Sequence, residues 1–283
     1  MNRKSFNFLI LLLVATAFVP MSCTKSPKNI GLQLYSLRDS METNAVKTVE
    51  FVGKTGYTFV EPAGYHNGMF YEMSPADFKA LVEKNGMTVI SSHTGQPVPD
   101  SAKWDSVMAW WDACIAAHAE LGVKYIVQPS MDSVGYQSIA GLQRYCDYFN
   151  AIGDKCKARG IKFGYHNHSE EFKQIEGQVI YDYMITHTDS SKVIFEIDLY
   201  WAQEGKANII GYFNKYPKRF ELWHVKDVKE VGASGTMDFN TFFAHAELSG
   251  MKYPIVECEE YTVGPFPGIA QSYNYLNTAE FVK

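Results

Sequence analysis

The sequence predicts a single (β/α)8 TIM barrel of the α/β class, preceded by an export leader. Three observations predict it: eight short apolar or β-branched runs, a helix-like stretch after each, and polar residues gathered late in nearly every run. Strict alternation repeated eight times favours a closed parallel barrel over a doubly wound sheet. The strands are read at residues 30–37, 57–63, 88–95, 125–130, 162–168, 193–201, 220–227 and 253–260. The helical stretches lie near 43–54, 74–85, 102–121, 134–159, 176–188, 207–216, 239–249 and 266–282. Ser74-Pro75 is a helix start signal, and Asn85-Gly86, Arg159-Gly160 and Ser249-Gly250 are stop signals. The 283 residues suit one barrel or two small domains, but no break in composition divides residues 29–283, which are read as one domain.

Residues 1–22 read as a signal peptide, with Arg3 and Lys4 ahead of an uncharged apolar run at 8–19 that is too short for a comfortable membrane span. Val19-Pro20-Met21-Ser22-Cys23 has a small residue before cysteine, as a bacterial lipobox does, although Pro20 and Met21 match it poorly. The expectation is a lipid on Cys23 and a polar tether over 23–28, with plain secretion as the alternative. That makes the protein an exported, periplasmic or cell-envelope lipoprotein of a bacterium, touching a membrane only through its lipid.

An apolar fraction of 46% with 14% aromatics supplies a large core and excludes a disordered chain. Removing residues 1–22 takes away two Lys/Arg and no acids, leaving 24 basic against 31 acidic residues, a net charge of −7. No basic footprint for nucleic acid exists. Cys114, Cys146, Cys156 and Cys258 show no Cys-x-x-Cys spacing and are expected to be buried free thiols, although export permits a disulfide. Nothing in the sequence specifies an oligomeric state.

A barrel places its chemistry where strands end and loops begin. The late polar residues are Arg38, Glu61, His93, Gln128, His166 with His168, Asp198, His224 with Lys226, and Glu257 with Glu259. Such groups would be costly to bury unpaired, so their recurrence at one end implies one cavity. His166, Asp198, His224 and Glu257 come from strands 5 to 8 and surround one point. Two imidazoles and two carboxylates make a mixed N/O site for Mn²⁺, Co²⁺ or Zn²⁺, less apt for Mg²⁺ or Ca²⁺. The alternative is His–Asp and His–Glu hydrogen bonding without a metal.

Gly31-Leu-Gln-Leu-Tyr-Ser-Leu-Arg38, Gly56-Tyr-Thr-Phe-Val-Glu61, Tyr165-His-Asn-His168, Phe195-Glu-Ile-Asp198, Trp223-His-Val-Lys-Asp227 and Ile255-Val-Glu257 resemble the successive strand motifs of the sugar phosphate isomerase/epimerase family, xylose isomerase-like TIM barrels. The resemblance runs over essentially the whole chain after the leader. It implies metal ligands of glutamate, aspartate, histidine and glutamate after strands 5 to 8, which Asp198, His224 and Glu257 match. Strand 5 departs from the pattern, with His166-Asn167-His168 where relatives carry Glu-Asn-His, and Trp201 stands where a histidine often follows the aspartate.

The resemblance implies a divalent-metal-dependent sugar isomerase or epimerase working through an enediolate on a small carbohydrate. With Glu257 the one remaining metal-bound glutamate, a symmetrical two-carboxylate exchange is disfavoured, and His168, Glu259 or Glu170 would supply the second proton carrier. A keto-glycoside lyase or hydratase begins with the same α-proton abstraction and is the alternative. A non-catalytic sugar-binding lipoprotein is the second alternative, disfavoured by four convergent ligands. Glu61 and His93 are read as hydroxyl binders or as partners of each other, Lys226 as an oxyanion contact or an ion pair with Asp227, and Arg38 as a substrate contact or loop cap. Trp201, Tyr35, Tyr65 and Trp223 are candidates for an aromatic wall against a sugar ring, with core packing the commoner fate of such residues. His66, His118, His187 and His245 are read as structural or solvated. Gly232-Ala-Ser-Gly235 is a faint phosphate-nest candidate, read instead as a flexible loop.

Overall fold

Eight runs of extended chain form one parallel sheet in the computed structural model, which describes residues 28–283. The expected signal peptide, Cys23 and the tether as far as residue 27 lie outside the described residues. The strands are β1 (Gly31–Gln33), β2 (Phe59–Glu61), β3 (Thr88–Val89), β4 (Tyr125–Gln128), β5 (Lys162–His166), β6 (Val193–Asp198), β7 (Leu222–Lys226) and β8 (Tyr253–Glu257). Their hydrogen-bonded order is β3-β2-β1-β8-β7-β6-β5-β4. The chain just past β3 joins the two outer strands: His93 pairs with Val127, and Val127 N donates to Ser92 O at 2.9 Å. The sheet is thereby a ring, the expected (β/α)8 barrel.

The barrel interior is filled by Phe59, Ile90, Tyr125, Val127, Ile194, Leu222 and Ile255. Phe59 dictates glycine on the neighbouring strand, because a Cβ on Gly31 would lie 2.0 Å from its ring. A second apolar layer, including Trp111, Tyr148, Phe149, Phe163 and Trp223, fills the space between sheet and helices. The helix from Pro75 to Lys84 shows the expected start, with the Ser74 hydroxyl accepting from Asp77 N at 3.1 Å and proline in the first turn. Ser249-Gly250 ends a helix as expected, Gly250 taking φ +90. Among the described residues, no helix is long and apolar enough to cross a membrane. Cys114, Cys146, Cys156 and Cys258 are buried free thiols, and burial pushes the last three up to about 12.

All eight strands are shorter than the sequence suggests, and three of them end early for a visible local reason. After Gln33 the side-chain oxygen of that residue accepts from Tyr35 N at 3.0 Å and turns residues Leu34–Leu37 into a 3-10 helix, so the first α-helix starts at Arg38. Past Val89 the chain lies beside Pro62, which has no N–H to return, and the ladder there becomes irregular. After Asp198 its own carboxylate accepts from Trp201 N at 2.7 Å and caps the helix Leu199–Glu204. Three helical stretches are also divided. Ser138 separates Val134–Gln137 from Ile139–Lys157, a two-residue-per-arm hairpin over 174–179 precedes Ile180–His187, and Phe239–Ala244 is followed by Ala246–Ser249.

Candidate metal centre

Side chains along a strand alternate between faces, so the residue two positions after an interior apolar residue also faces the barrel axis. In β2 that step leads from Phe59 to Glu61, in β8 from Ile255 to Glu257, and in β7 from Leu222 through His224 to Lys226. In β6 it leads from Ile194 through Glu196 to Asp198, and in β5 from Gly164 to His166. The parallel registers set Glu196 beside His166, Asp198 beside His224, and Lys226 beside Glu257. The C-terminal end of the barrel interior is therefore ionisable, above a layer of apolar side chains.

The expected ligands His166, Asp198, His224 and Glu257 are all buried, and each offers a donor atom within 4.8 Å of the others. His224 Nδ1 lies 3.4 Å from Glu257 Oε2, while its Nε2 lies 2.8 Å from Glu61 Oε1. His166 turns Nδ1 toward Glu196 Oε2 at 3.2 Å, which leaves Nε2 for the cluster. Each imidazole thus has a carboxylate behind it, the arrangement that orients metal-binding histidines and raises their basicity. Asp198 Oδ2 is buried without a hydrogen-bond partner.

The electrostatics agree with this geometry. Burial and the nearby His224 and His93 hold His166 well below the usual histidine value, so it is neutral and has a lone pair to give. Burial, with Glu257 adding to it against the opposing Lys226, raises Asp198 to about 7. Burial opposes a charged His224, but Glu196 and Glu257 hold it well above its ordinary value. Burial likewise opposes the Glu257 carboxylate, which His224 and Lys226 nevertheless keep below the usual range. A carboxylate with an orphaned oxygen, a neutral imidazole and two further donors fit a divalent cation.

A second set of donors, His93, His166, Glu196 and His224, lies one layer deeper and shares both imidazoles with the first. Here Glu196 Oε2 is already engaged, 2.6 Å from His93 Nε2, 3.2 Å from His166 Nδ1 and 3.3 Å from His224 Nε2. Glu61 Oε1 also lies 3.1 Å from His93 and accepts from Gln33 Nε2 at 2.8 Å. Glu61 and His93 are consequently partners of each other within a buried network. Glu196 and Gln33 were not singled out by sequence. Their signal was present, since Phe195-Glu-Ile-Asp198 puts Glu196 on the same face of the strand as Asp198.

Above the ligands opens a cavity of about 450 Å³, with His93, His166 and Glu257 in its floor and Tyr35, Tyr65 and His168 among its walls. Lys226 Nζ bridges Glu257 at 3.1 Å and Glu259 at 2.7 Å and sits 5.3 Å from the Trp201 ring. The alternative reading of Lys226, an ion pair with Asp227, is not what the structure holds. Asp227 instead receives Val228 N, Gly232 N and the Ser234 hydroxyl, filling with its own carboxylate the loop read as a phosphate-nest candidate. His168 lies 5.7 Å from Trp201 ring to ring, and burial lowers its pKa. Its backbone N–H is fixed by Glu171 at 2.9 Å, a buried carboxylate that also accepts from Tyr165 and Tyr136 and that sequence reading passed over.

Four expected participants lie elsewhere. Glu170 is exposed and paired with Lys173. Trp223 is buried against Phe213, because it occupies the outward face of β7. Arg38 lies over the Tyr35 ring at 4.9 Å and borders a neighbouring cavity. Gln128 bonds to Ser130 O at 2.9 Å in its own loop. His118, in the helix Trp104–Leu121, is structural: it contacts Cys114 O at 2.7 Å and Ser92 Oγ at 3.0 Å, and burial lowers it to about 4. A larger cavity, about 800 Å³, lies beside Asn29 and Pro254 at the other end of the barrel strands and contains none of these groups.

Residues 49–279 match the xylose isomerase-like TIM barrel family. A sugar phosphate isomerase/epimerase from Parabacteroides distasonis ATCC 8503 is 35% identical, with 90% of this chain and 100% of that chain covered and a TM-score of 0.84. A second one from the same organism is 32% identical over 93% and 100% of the two chains, with a TM-score of 0.85. The 3-keto-D-glucoside 4-epimerase YcjR of E. coli shares the fold at 16% identity, over 89% and 100% of the chains, with a TM-score of 0.68. No curated protein sequence matches the chain.

Proposed function

The chain belongs to the xylose isomerase-like TIM barrel family and is an enzyme of the isomerase/epimerase kind, and from that premise we propose that it is a divalent-metal-dependent epimerase or isomerase of a non-phosphorylated sugar derivative. The observation that carries this reading is the convergence of His166, Asp198, His224 and Glu257 beneath one open cavity.

Those four residues would hold the cation, Mn²⁺, Co²⁺ or Zn²⁺ by their mixed N/O character. When bound, it supplies Lewis-acid polarisation of a substrate carbonyl and the adjacent hydroxyl. Glu61 and Glu196 keep His224 and His166 in the orientation that ligation needs. His168, neutral because burial lowers its pKa, accepts the proton from the carbon α to the carbonyl, and the C–H electron pair moves onto the carbonyl to give an enediolate. Lys226, which Glu257 and Asp198 hold charged despite its burial, faces the negative charge that develops. Glu259, open enough to solvent to take up a proton from water, is the group available to return one on the other face, while Glu257 stays ionised between His224 and Lys226. Asp227 already occupies the loop that a phosphate would need, and this supports an unphosphorylated substrate. The leader and Cys23 support an exported enzyme acting in the bacterial cell envelope.

A keto-glycoside lyase or hydratase is favoured by one feature. With His166 in place of a strand 5 carboxylate, the proton carriers are an imidazole and a carboxylate rather than a matched pair, which suits removal of a proton followed by loss of a β substituent. Elemental analysis of the purified protein, paired with deuterium uptake from D₂O into free sugars and 3-keto-glycosides, tests both. Near-stoichiometric metal with C–H exchange is expected, and the labelled product separates epimerisation from elimination. A folded protein supplied with Mn²⁺, Co²⁺ and Zn²⁺ that neither retains metal nor exchanges hydrogen would overturn the proposal.

A further inference from the structure

Beside the metal cavity lies a second one of about 520 Å³, and the two share Tyr35 and Ala63 as a common wall. Tyr35 at this junction is 44% exposed, although its neighbours Leu34 and Ser36 are buried. Arg38 holds it from one side, its guanidinium 4.9 Å from the ring and its N–H directed to the Tyr35 carbonyl. An exposed aromatic face held in place by a neighbour is a stacking surface. The opposite wall is strained: Tyr71 and Glu72 adopt φ +50 and +63, the left-handed region, without being glycine. Held conformations of this type cluster at ligand clamps. Tyr71 is fixed there by its hydroxyl, which accepts from Ala63 N at 3.0 Å.

The charge of this cavity restricts its ligand. Arg38 is the one cation among its lining groups, against Asp39, Glu42 and Glu72. A surplus of carboxylates repels phosphate, sulfate and carboxylate groups, yet accepts hydrogen bonds from hydroxyls. An aromatic plate beside carboxylates and a guanidinium is suited to a neutral polyhydroxylated ring.

We propose that this second cavity is a subsite for the ring attached to the reacting sugar, so that the substrate is a two-ring glycoside, with one ring over the metal ligands and its glycosidic neighbour on Tyr35 beside Arg38. This rests on the function proposed above for the adjoining site. It gives Arg38 a binding role one ring away from the chemistry.

Calorimetric titration of the full protein with D-glucose, D-glucose 6-phosphate, cellobiose, maltose and phenyl β-D-glucoside tests the subsite. At least one two-ring ligand is expected to bind about tenfold more tightly than glucose, and glucose 6-phosphate no more tightly than glucose. Tyr35→Ala and Arg38→Ala, both at partly exposed side chains, should each bring the two-ring preference down to about threefold or less. Absence of binding by every two-ring ligand, tighter binding of the phosphate ester, or a preference that survives both substitutions would overturn it. Deuterium exchange keeps the two proposals separable: exchange into one-ring sugars without a two-ring preference defeats the subsite alone. A two-ring preference in a protein without metal or exchange defeats the catalytic reading alone.

Discussion

The two ends of the barrel interior are both charged, and they are charged differently. At the N-terminal end Glu221 accepts from Lys162 at 2.5 Å, Lys252 at 2.8 Å and Tyr125 at 2.8 Å, so both its oxygens are satisfied by the protein. At the C-terminal end four carboxylates, Glu61, Glu196, Asp198 and Glu257, face three imidazoles and one lysine, and Glu61 Oε2, Glu196 Oε1 and Asp198 Oδ2 have no hydrogen-bond partner. Leaving a buried polar oxygen unpaired costs about 1–3 kcal/mol. A fold that completes one end and leaves three such oxygens at the other is stabilised at the first and prepared for a ligand at the second.

The strongest way to break this comparison is to remove a ligand. Glu257→Ala should abolish tight metal retention in equilibrium dialysis and lower C–H exchange by on the order of 10³-fold. Full metal content and exchange in that variant would show that the open end is only a polar network. Glu196→Gln keeps the volume but weakens the support behind His166, His93 and His224. Metal affinity should fall by roughly 10–100-fold, the usual effect of losing a carboxylate behind a ligating histidine. An unchanged affinity would remove His166 from the ligand set.

The ends were not equally legible in the sequence. Polar and ionisable residues late in nearly every strand announced the C-terminal cluster, because hydrophobic strands rarely carry them without a use. Asp198, His224 and Glu257 were readable one by one. Glu196 was harder, because recognising it requires knowing which face of β6 points inward, and β6 is buried on both faces. Arg38 and Trp223 show the converse. Arg38 follows a strand that ends four residues early at Gln33, so the chain has already turned before it reaches the cavity mouth. Trp223 is adjacent to His224 and therefore points the opposite way. The pairing of Glu221 with Lys162 and Lys252 joins residues from three strand starts, and no local pattern encodes it.

The smallest expected effect belongs to the closed end, and it sharpens the contrast. Burial opposes the Glu221 carboxylate, but Lys162, Lys252 and Tyr125 together hold it below the usual range. A carboxyl group whose folded-state pKa is depressed contributes stability above its unfolded value, and that contribution is lost as pH falls through the folded one. Lys162 and Lys252 are 46% and 52% exposed, so solvent screens both pairs and Glu221→Gln should cost only about 1–2 kcal/mol near pH 7. In urea titrations the difference between wild type and variant should then shrink as pH falls below the usual carboxylate range, where wild-type Glu221 begins to take up a proton. Metal content and C–H exchange should be the same in both, because Glu221 lies at the far end of the barrel from the ligands. A variant that loses metal along with stability would mean that the two ends are coupled through the apolar layer of Phe59, Ile194 and Leu222, and that the closed end also takes part in holding the open one.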